Sequence, residues 1–358
     1  PLVIDTPIYI TGMSYGALSA NAKTALGKAA RMVGTASCTG DGGMLSSERE
    51  ESNKLIYQVL PSRYGFNPHH LLGAQAIEIV VGQGAKPGTG GMLMGVKVLD
   101  EISEMRDLPS GIDQRSPARH PDWLGPDDLA IKIEQLREAT NWSVPIQVKL
   151  GACRVADDVK LAAKAGADSI VVDGMVAGTG ASAEVLLDHS GIPTVPSIVM
   201  AREALREIGL YRKVSLIASG GIRSGADVAK ALALGADAVA IGIAALIALN
   251  CNREIPESNF EEEIGVAAGQ CHHCHTGKCP VGIATQDSEL VKRLDADEGA
   301  ERVANFINSM TMELALLTRS LGKSDVHSLE PEDLAALTIE ASAMAQIPLA
   351  GTDKVFGQ

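Results

Sequence analysis

Three closely spaced cysteines carry the most pointed chemistry in this sequence. Cys271, Cys274 and Cys279 lie within GQCHHCHTGKCPVGIATQ, whereas Cys38, Cys153 and Cys251 stand alone. A secreted disulfide framework would spread its cysteines along the chain, so a local metal or redox centre is expected instead. An iron–sulfur cluster accounts for three thiolates in one loop and for the Cys-Pro ending. Three ligands favour a 3Fe-4S cluster, and Cys251 is the candidate fourth ligand of a 4Fe-4S cluster. Zinc held by three cysteines and a histidine competes, as does a loop with no metal at all. The string from Cys271 to His275 also matches the haem-attachment pattern C-x-x-C-H, but that leaves Cys279 without a role. A thioredoxin-like pair lacks its strand–helix context.

A second set of candidates falls at predicted strand ends. Val214–Gly242 reads as strand, Ser-Gly-Gly turn, helix, strand and glycine. Amides at Gly220, Gly221 and Gly242 could approach a phosphate, the plainer alternative being tight turns. Lys149 closes IQVKL, where an ammonium would suit an anionic ring edge such as a reduced flavin. Asp173 and Gly174 open DGMVAGTGAS; either charged residue could instead be a solvated end or an internal ion pair. The segment GQGAKPGTGGMLMGVKV brings Gln83, Lys86 and Lys97, and Arg106 and Arg115 follow. Cations clustered in an acidic protein point to a carboxylate or phosphate ligand, against the alternative of a solvated basic loop. Nucleotide motifs fare worse. No G-x-G-x-x-G follows a strand, and Leu317 stands where a P-loop ending at Gly322-Lys-Ser needs glycine.

The elements that must position these residues alternate. Predicted strands are Pro7–Thr11, Gly34–Ser37, Ala76–Val81, Pro145–Leu150, Ser169–Asp173, Pro193–Pro196, Val214–Ser219 and Ala238–Gly242. Helical patterns lie between them, at Ala20–Met32, Pro126–Thr140, Asp157–Ala165, Val199–Ile208 and Ala226–Leu234. Eight such strands predict a parallel (β/α)8 TIM barrel, with a doubly wound open sheet as the rival. The 358 residues, 46% apolar and only 3% aromatic, can build that small-residue α/β core. Three regions are expected: a barrel over 1–250, a cysteine loop over 251–286 and a helical extension over 287–358. The stretch 82–125 interrupts the rhythm as a long Gly/Pro/Arg-rich insertion, the kind of loop that is usually functional.

Charge narrows the partners. The net charge of −13 argues against duplex nucleic acid or an anionic membrane as the main ligand. The longest apolar run, Ala238–Leu249, is 12 residues, too short to span a bilayer. Pro1 opens the chain without a basic leader, so a cytoplasmic protein is expected.

Several of these strings resemble the glutamate synthase family in order and over nearly the whole chain. They are TGMSYGALS, TGDGG, GQGAKPGTGG (after the third predicted strand), VKL, DGMVAGTGAS, the ASGG turn and CHTGKCPVGIATQ. Within the family, GIDQRSPARHPDWLGPDDLAIKI is similar to the flavin subunits of N-methylglutamate synthases. The resemblance implies an FMN-binding barrel beside an iron–sulfur cluster. Met13, Ser14, Gln83, Lys149, Gly221 and Gly242 match flavin-contacting positions, and Lys86 and Arg106 match positions near the flavin and the 2-oxoacid carboxylates. Cys274 and Cys279 match the second and third cluster cysteines. Three departures stand out: Met92 replaces a glutamine, Asp41 replaces a glutamate, and only two residues separate Cys271 from the second cluster cysteine where five are usual.

The implied reaction is hydride exchange between FMN and an imine of a 2-oxoacid and an amine. Methylamine with glutamate would give N-methylglutamate; ammonia with 2-oxoglutarate would give glutamate. Since Pro1 is not a catalytic cysteine, ammonia release is expected from a separate amidotransferase-like subunit of a hetero-oligomer. Two other classes stay open: an FMN-dependent barrel dehydrogenase or isomerase, which would have no need of the cysteine loop, and a non-catalytic electron-relay subunit.

Overall fold

The structure is a computed structural model, and it describes every residue except 179–181, 252, 254–260, 263–264, 268 and 358. Among the described residues ten strands occur in chain order: β1 (Ile8–Ile10), β2 (Ser37–Cys38), β3 (Leu55–Val59), β4 (Ala76–Val80), β5 (Met92–Leu93), β6 (Gln114–Arg115), β7 (Ile146–Gly151), β8 (Ser169–Asp173), β9 (Ser215–Ser219) and β10 (Ala238–Ile241). Eight of them form one parallel sheet in the order β1-β10-β9-β8-β7-β4-β3-β2. The Ile10 amide donates to the Ala36 carbonyl at 3.0 Å, which brings the two edges together and nearly closes the barrel. The expected TIM-barrel architecture is what the chain adopts.

Two apolar layers hold it. Tyr9, Cys38, Ile56, Val171, Ile217 and Ala240 fill the inside of the sheet, and a larger core lies between the sheet and its helices. The inside also carries a polar layer. Glu78 accepts from Gln58 Nε2 at 2.5 Å and from Gln147 Nε2, and Gln147 also donates to the Tyr9 hydroxyl. These are inward positions, so the next inward residue of β7 after Gln147, Lys149, faces the C-terminal mouth.

Two strand assignments need correction. Pro193–Pro196 is not a strand but the start of the helix Thr194–Glu207. A proline in the first helical turn gives up an amide that has no intrahelical partner anyway, so the two prolines favour a helix start. The missing strand is β3, whose LIYQV follows a charged stretch and fits the β-branched and aromatic pattern. Consequently the long insertion follows the fourth barrel strand, not the third. Gly34, predicted to open a strand, caps the helix Ala20–Val33 instead, and β2 begins at Ser37. The insertion has structure of its own: the β5–β6 hairpin and the helix Asp100–Arg106.

The tail is part of the same body. Helix Ala296–Ser320 buries Val303, Ile307, Met310 and Leu314 in the main core, packed on helices Ala20–Val33 and Gly225–Ala233. Pro331 starts only the short 3-10 turn Pro331–Asp333. Among the described residues no helix is long and apolar enough to cross a membrane.

Candidate active site

Parallel strands put all their C-terminal ends on one face, and the predicted residues converge there. Lys149, 3% exposed, donates to Thr11 Oγ1 at 3.0 Å across the mouth and pairs with Asp173 Oδ2 at 3.4 Å. Burial opposes its charge, but Asp173, Glu78 and Cys38 outweigh burial and hold the ammonium above the ordinary lysine range. Asp173 Oδ2 also accepts from the Gly84 amide at 2.9 Å, while its Oδ1 is buried without a partner. Gly84 has to be a glycine, because a Cβ would lie 2.1 Å from the Gly174 carbonyl oxygen. The turns after β4 and β8 therefore lock together beneath Lys149.

The Gly220–Gly221 turn follows β9, and Gly242 follows β10. Gly220 and Gly221 have φ of 101° and 76°, a left-handed backbone that favours glycine. Among the described residues, the amides of Gly221 and Gly242 donate to no protein acceptor. Adjacent free amides at the ends of the seventh and eighth barrel strands fit a phosphate. Met13 and Ser14 are half-buried in the loop after β1, the neighbour of β10, and Gln83 is half-buried after β4.

The insertion closes over one side. Lys86 is 5% exposed, and burial pulls its ammonium below the ordinary lysine range against the pull of Asp41. Asp41 accepts from Ser62 Oγ at 2.6 Å and Ser116 Oγ at 2.7 Å, so its carboxylate ties β2 to the insertion. Arg106 is 3% exposed and committed to protein acceptors. It donates to the Tyr15 carbonyl at 2.8 Å, the Asp41 carbonyl at 3.1 Å and Gln114 Oε1 at 3.1 Å, and its Nε is buried without a partner. The guanidinium predicted to meet substrate thus braces three loops of the mouth.

Two supporting residues escaped the sequence reading. Lys23 is buried on helix Ala20–Val33; it pairs with Glu48 at 2.5 Å and donates to the carbonyls of Met13, Cys38 and Thr39. A lysine in a helical pattern gives no hint that it points inward. His120 accepts from Arg63 Nη1 through Nδ1 at 2.8 Å and donates from Nε2 to the Val80 carbonyl at 2.8 Å, pinning the far end of the insertion to β4. Burial and Arg63 hold its pKa down to about 4.

The cysteine loop docks behind the β1 loop. The Ser19 amide donates to the Ile283 carbonyl at 2.8 Å, and Gln286 Nε2 donates to the Leu18 carbonyl at 2.8 Å. Cys251, Cys271, Cys274 and Cys279 line one small cavity of about 30 Å³, with His273 and apolar residues such as Pro280 and Ile283. Burial, with Cys279 and Cys271 nearby, pushes the Cys274 thiol up. Thiols are the donor type that an iron–sulfur cluster needs, but among the described residues no three donors converge closely enough to hold a metal ion as they stand. Lys97 reaches this loop from the insertion, and burial holds its pKa to about 8 against the pull of Cys274 and Cys279.

A model of the conserved region in glutamate synthase matches residues 1–324. The chain belongs to the glutamate synthase family. It is 57% identical over 352 residues to the glutamate synthase large subunit-like protein of Rhizobium meliloti (strain 1021), spanning 98% of this chain and 79% of that one. It is 46% identical over 329 residues to the archaeal glutamate synthase (NADPH) of Methanocaldococcus jannaschii, and 43% identical over 329 residues to the archaeal-type enzyme of Thermotoga maritima. Each match covers 92% of this chain but only 61% and 62% of those relatives, so the chain spans about three-fifths of their length. These relatives are named for glutamate synthesis and not for N-methylglutamate. A flavocytochrome b2 variant with sulfite bound superposes with a TM-score of 0.55 at 16% identity, covering 92% of this chain and 69% of that one. For (S)-mandelate dehydrogenase the TM-score is 0.54 at 14% identity, over 91% and 80%. At such identities the likeness concerns the barrel fold alone.

Proposed function

We propose that the barrel mouth binds FMN and reduces the imine of 2-oxoglutarate and ammonia to glutamate. The observation that carries this is the meeting, at one end of the barrel, of a buried Lys149–Asp173 pair, two free glycine amides and Lys86. Bound FMN would supply hydride exchange with the imine carbon. The Gly221 and Gly242 amides hold its phosphate, with Met13, Ser14, Gln83, Gly174 and Gly220 as the walls of the cradle. Lys149, kept charged by Asp173, stabilises negative charge on a reduced ring. Lys86 offers its ammonium to a substrate carboxylate, at a place where low solvent access strengthens the contact. Arg106 keeps the Tyr15, Asp41 and Gln114 segments in place around it. The four-cysteine cavity is the proposed iron–sulfur site, with Cys274 and Cys279 as ligands, Cys271 or Cys251 completing the set, and 3Fe-4S the favoured form. Ammonia would come from a separate amidotransferase-like subunit.

A second amine is favoured by one feature. The stretch 111–133 resembles N-methylglutamate synthases, and it supplies β6, which pairs with Met92 across the mouth hairpin. A thioether there suits an N-methyl group better than an amide would. Product analysis separates the two amines. The reduced holoprotein is incubated with 2-oxoglutarate and either nitrogen-15 ammonia or methylamine, and the amino acids are identified by mass spectrometry. Labelled glutamate is the expected product. Preferential formation of N-methylglutamate selects the second amine, and no amino acid from either overturns both.

A further inference from the structure

Lys97 is among the largest fully buried side chains of the molecule, and both of its side-chain hydrogen bonds reach outside its own insertion. It ends the 3-10 turn Gly95–Lys97, and its ammonium leaves the insertion altogether. Nζ donates to the Ala17 carbonyl at 2.7 Å and to the Cys274 carbonyl at 3.0 Å. Ala17 belongs to the same short loop as Met13 and Ser14, and Cys274 lines the cysteine cavity. The stem is also matched to the loop it meets: a Cβ at Gly277 would sit 3.5 Å from Lys97 Cγ, in van der Waals contact. The cavity itself is lined by thiols, His273 and apolar side chains, with no lysine or arginine among them. A full positive charge therefore stands directly behind a set of thiols that would each become negative on binding metal.

We propose that Lys97 is a positioning and charge-compensating residue of the cysteine cavity. It ties the cavity wall to the loop behind the flavin cradle and offsets the negative charge of metal-bound Cys274 and Cys279. The tether half stands on the protein alone; the charge half rests on the iron–sulfur site proposed above. The charge has a predictable effect, because a nearby cation favours the more negative, reduced form of a cluster and so raises its potential.

Two variants separate the halves. Lys97→Gln removes the charge and shortens the reach, and Lys97→Arg keeps the charge with two or more donors. Amide exchange over residues 271–279 in the metal-free chain should be roughly tenfold faster in Lys97→Gln than in wild type, with Lys97→Arg close to wild type. After reconstitution with iron and sulfide, Lys97→Gln should hold less than half the wild-type iron. The cluster that remains should show an oxidised-to-reduced ratio about tenfold higher at a fixed poise, which is 59 mV for one electron. Extracted FMN should stay at the wild-type level. Wild-type exchange, iron content and potential in Lys97→Gln would overturn the proposal. If the wild-type chain takes up no iron, the charge half falls together with the cluster, and equal exchange rates would then overturn the tether as well.

Discussion

Arg106 and His120 sit at two places on one insertion and are both buried, Arg106 with its two terminal nitrogens and His120 with both ring nitrogens engaged by protein. No single ammonium can reach the Tyr15, Asp41 and Gln114 oxygens together, so Arg106→Lys should recover only part of what Arg106→Ala loses. Arg106→Ala should lower kcat/KM by roughly 30- to 1000-fold, about 2–4 kcal/mol, and should also lower the melting temperature by a few degrees. Steady-state kinetics with parallel melting curves checks this; a solvated arginine would change neither. His120 makes a pH prediction. Its folded pKa, about 4, lies below the 6.5 of an ordinary histidine, so the unfolded chain binds that proton more tightly. Its contribution is full above pH 6.5 and is lost as pH falls toward 4, by at most about 3 kcal/mol. Denaturant melts at pH 7.5 and 5 should show about 2 kcal/mol of that loss in wild type and a flatter response in His120→Gln. Parallel losses in both chains would show that other groups set the acid limb.

At the scale of elements, the two glycine turns after β9 and β10 make the sharpest prediction. Gly242 has a φ of −122°, outside the left-handed region, and a Cβ there meets Thr11 Cγ2 at 3.1 Å, a tight contact with the end of one side chain. Gly242→Asp adds a carboxylate to the phosphate site, whereas Gly242→Asn adds nearly the same bulk in the same backbone without charge. FMN affinity should fall about 100-fold in the aspartate chain, about 3 kcal/mol, and only a few-fold in the asparagine chain. Equal losses would mean that bulk and not charge decides. These turns were legible in sequence because glycine at a strand end marks itself, and so were Lys149 and Asp173, polar residues closing apolar runs. β3 was missed because its short run is preceded by a charged stretch and lacks strong turn signals. Pro193–Pro196 misled because a proline pair at a helix start looks like extended chain. Lys23, Glu78 and the committed bonds of Arg106 were hidden for a different reason. Their roles depend on which way a side chain points after the barrel closes, and no local pattern encodes that.

For the whole molecule, the tail helix and the barrel share one core, so they should lose stability together. Ile307, fully buried between Ala296–Ser320 and its neighbours, should cost about 2–5 kcal/mol when cut to alanine. A single, lower melting transition should result, with flavin content per folded chain unchanged; a separate early transition would mark the tail as an independent unit. The acidic surface, with its net charge of −13, leaves the cations of function inside the mouth and behind the cysteine loop. The most direct test of the whole account is the oxidative half-reaction. The FMN-loaded chain is reduced chemically without oxygen and then mixed with 2-oxoglutarate, with and without ammonia. Oxidised flavin absorbance should return only when both are present, with one glutamate formed per flavin. Flavin that stays reduced with both, or that reoxidises with 2-oxoglutarate alone to give the 2-hydroxy acid, would contradict imine reduction at this barrel mouth.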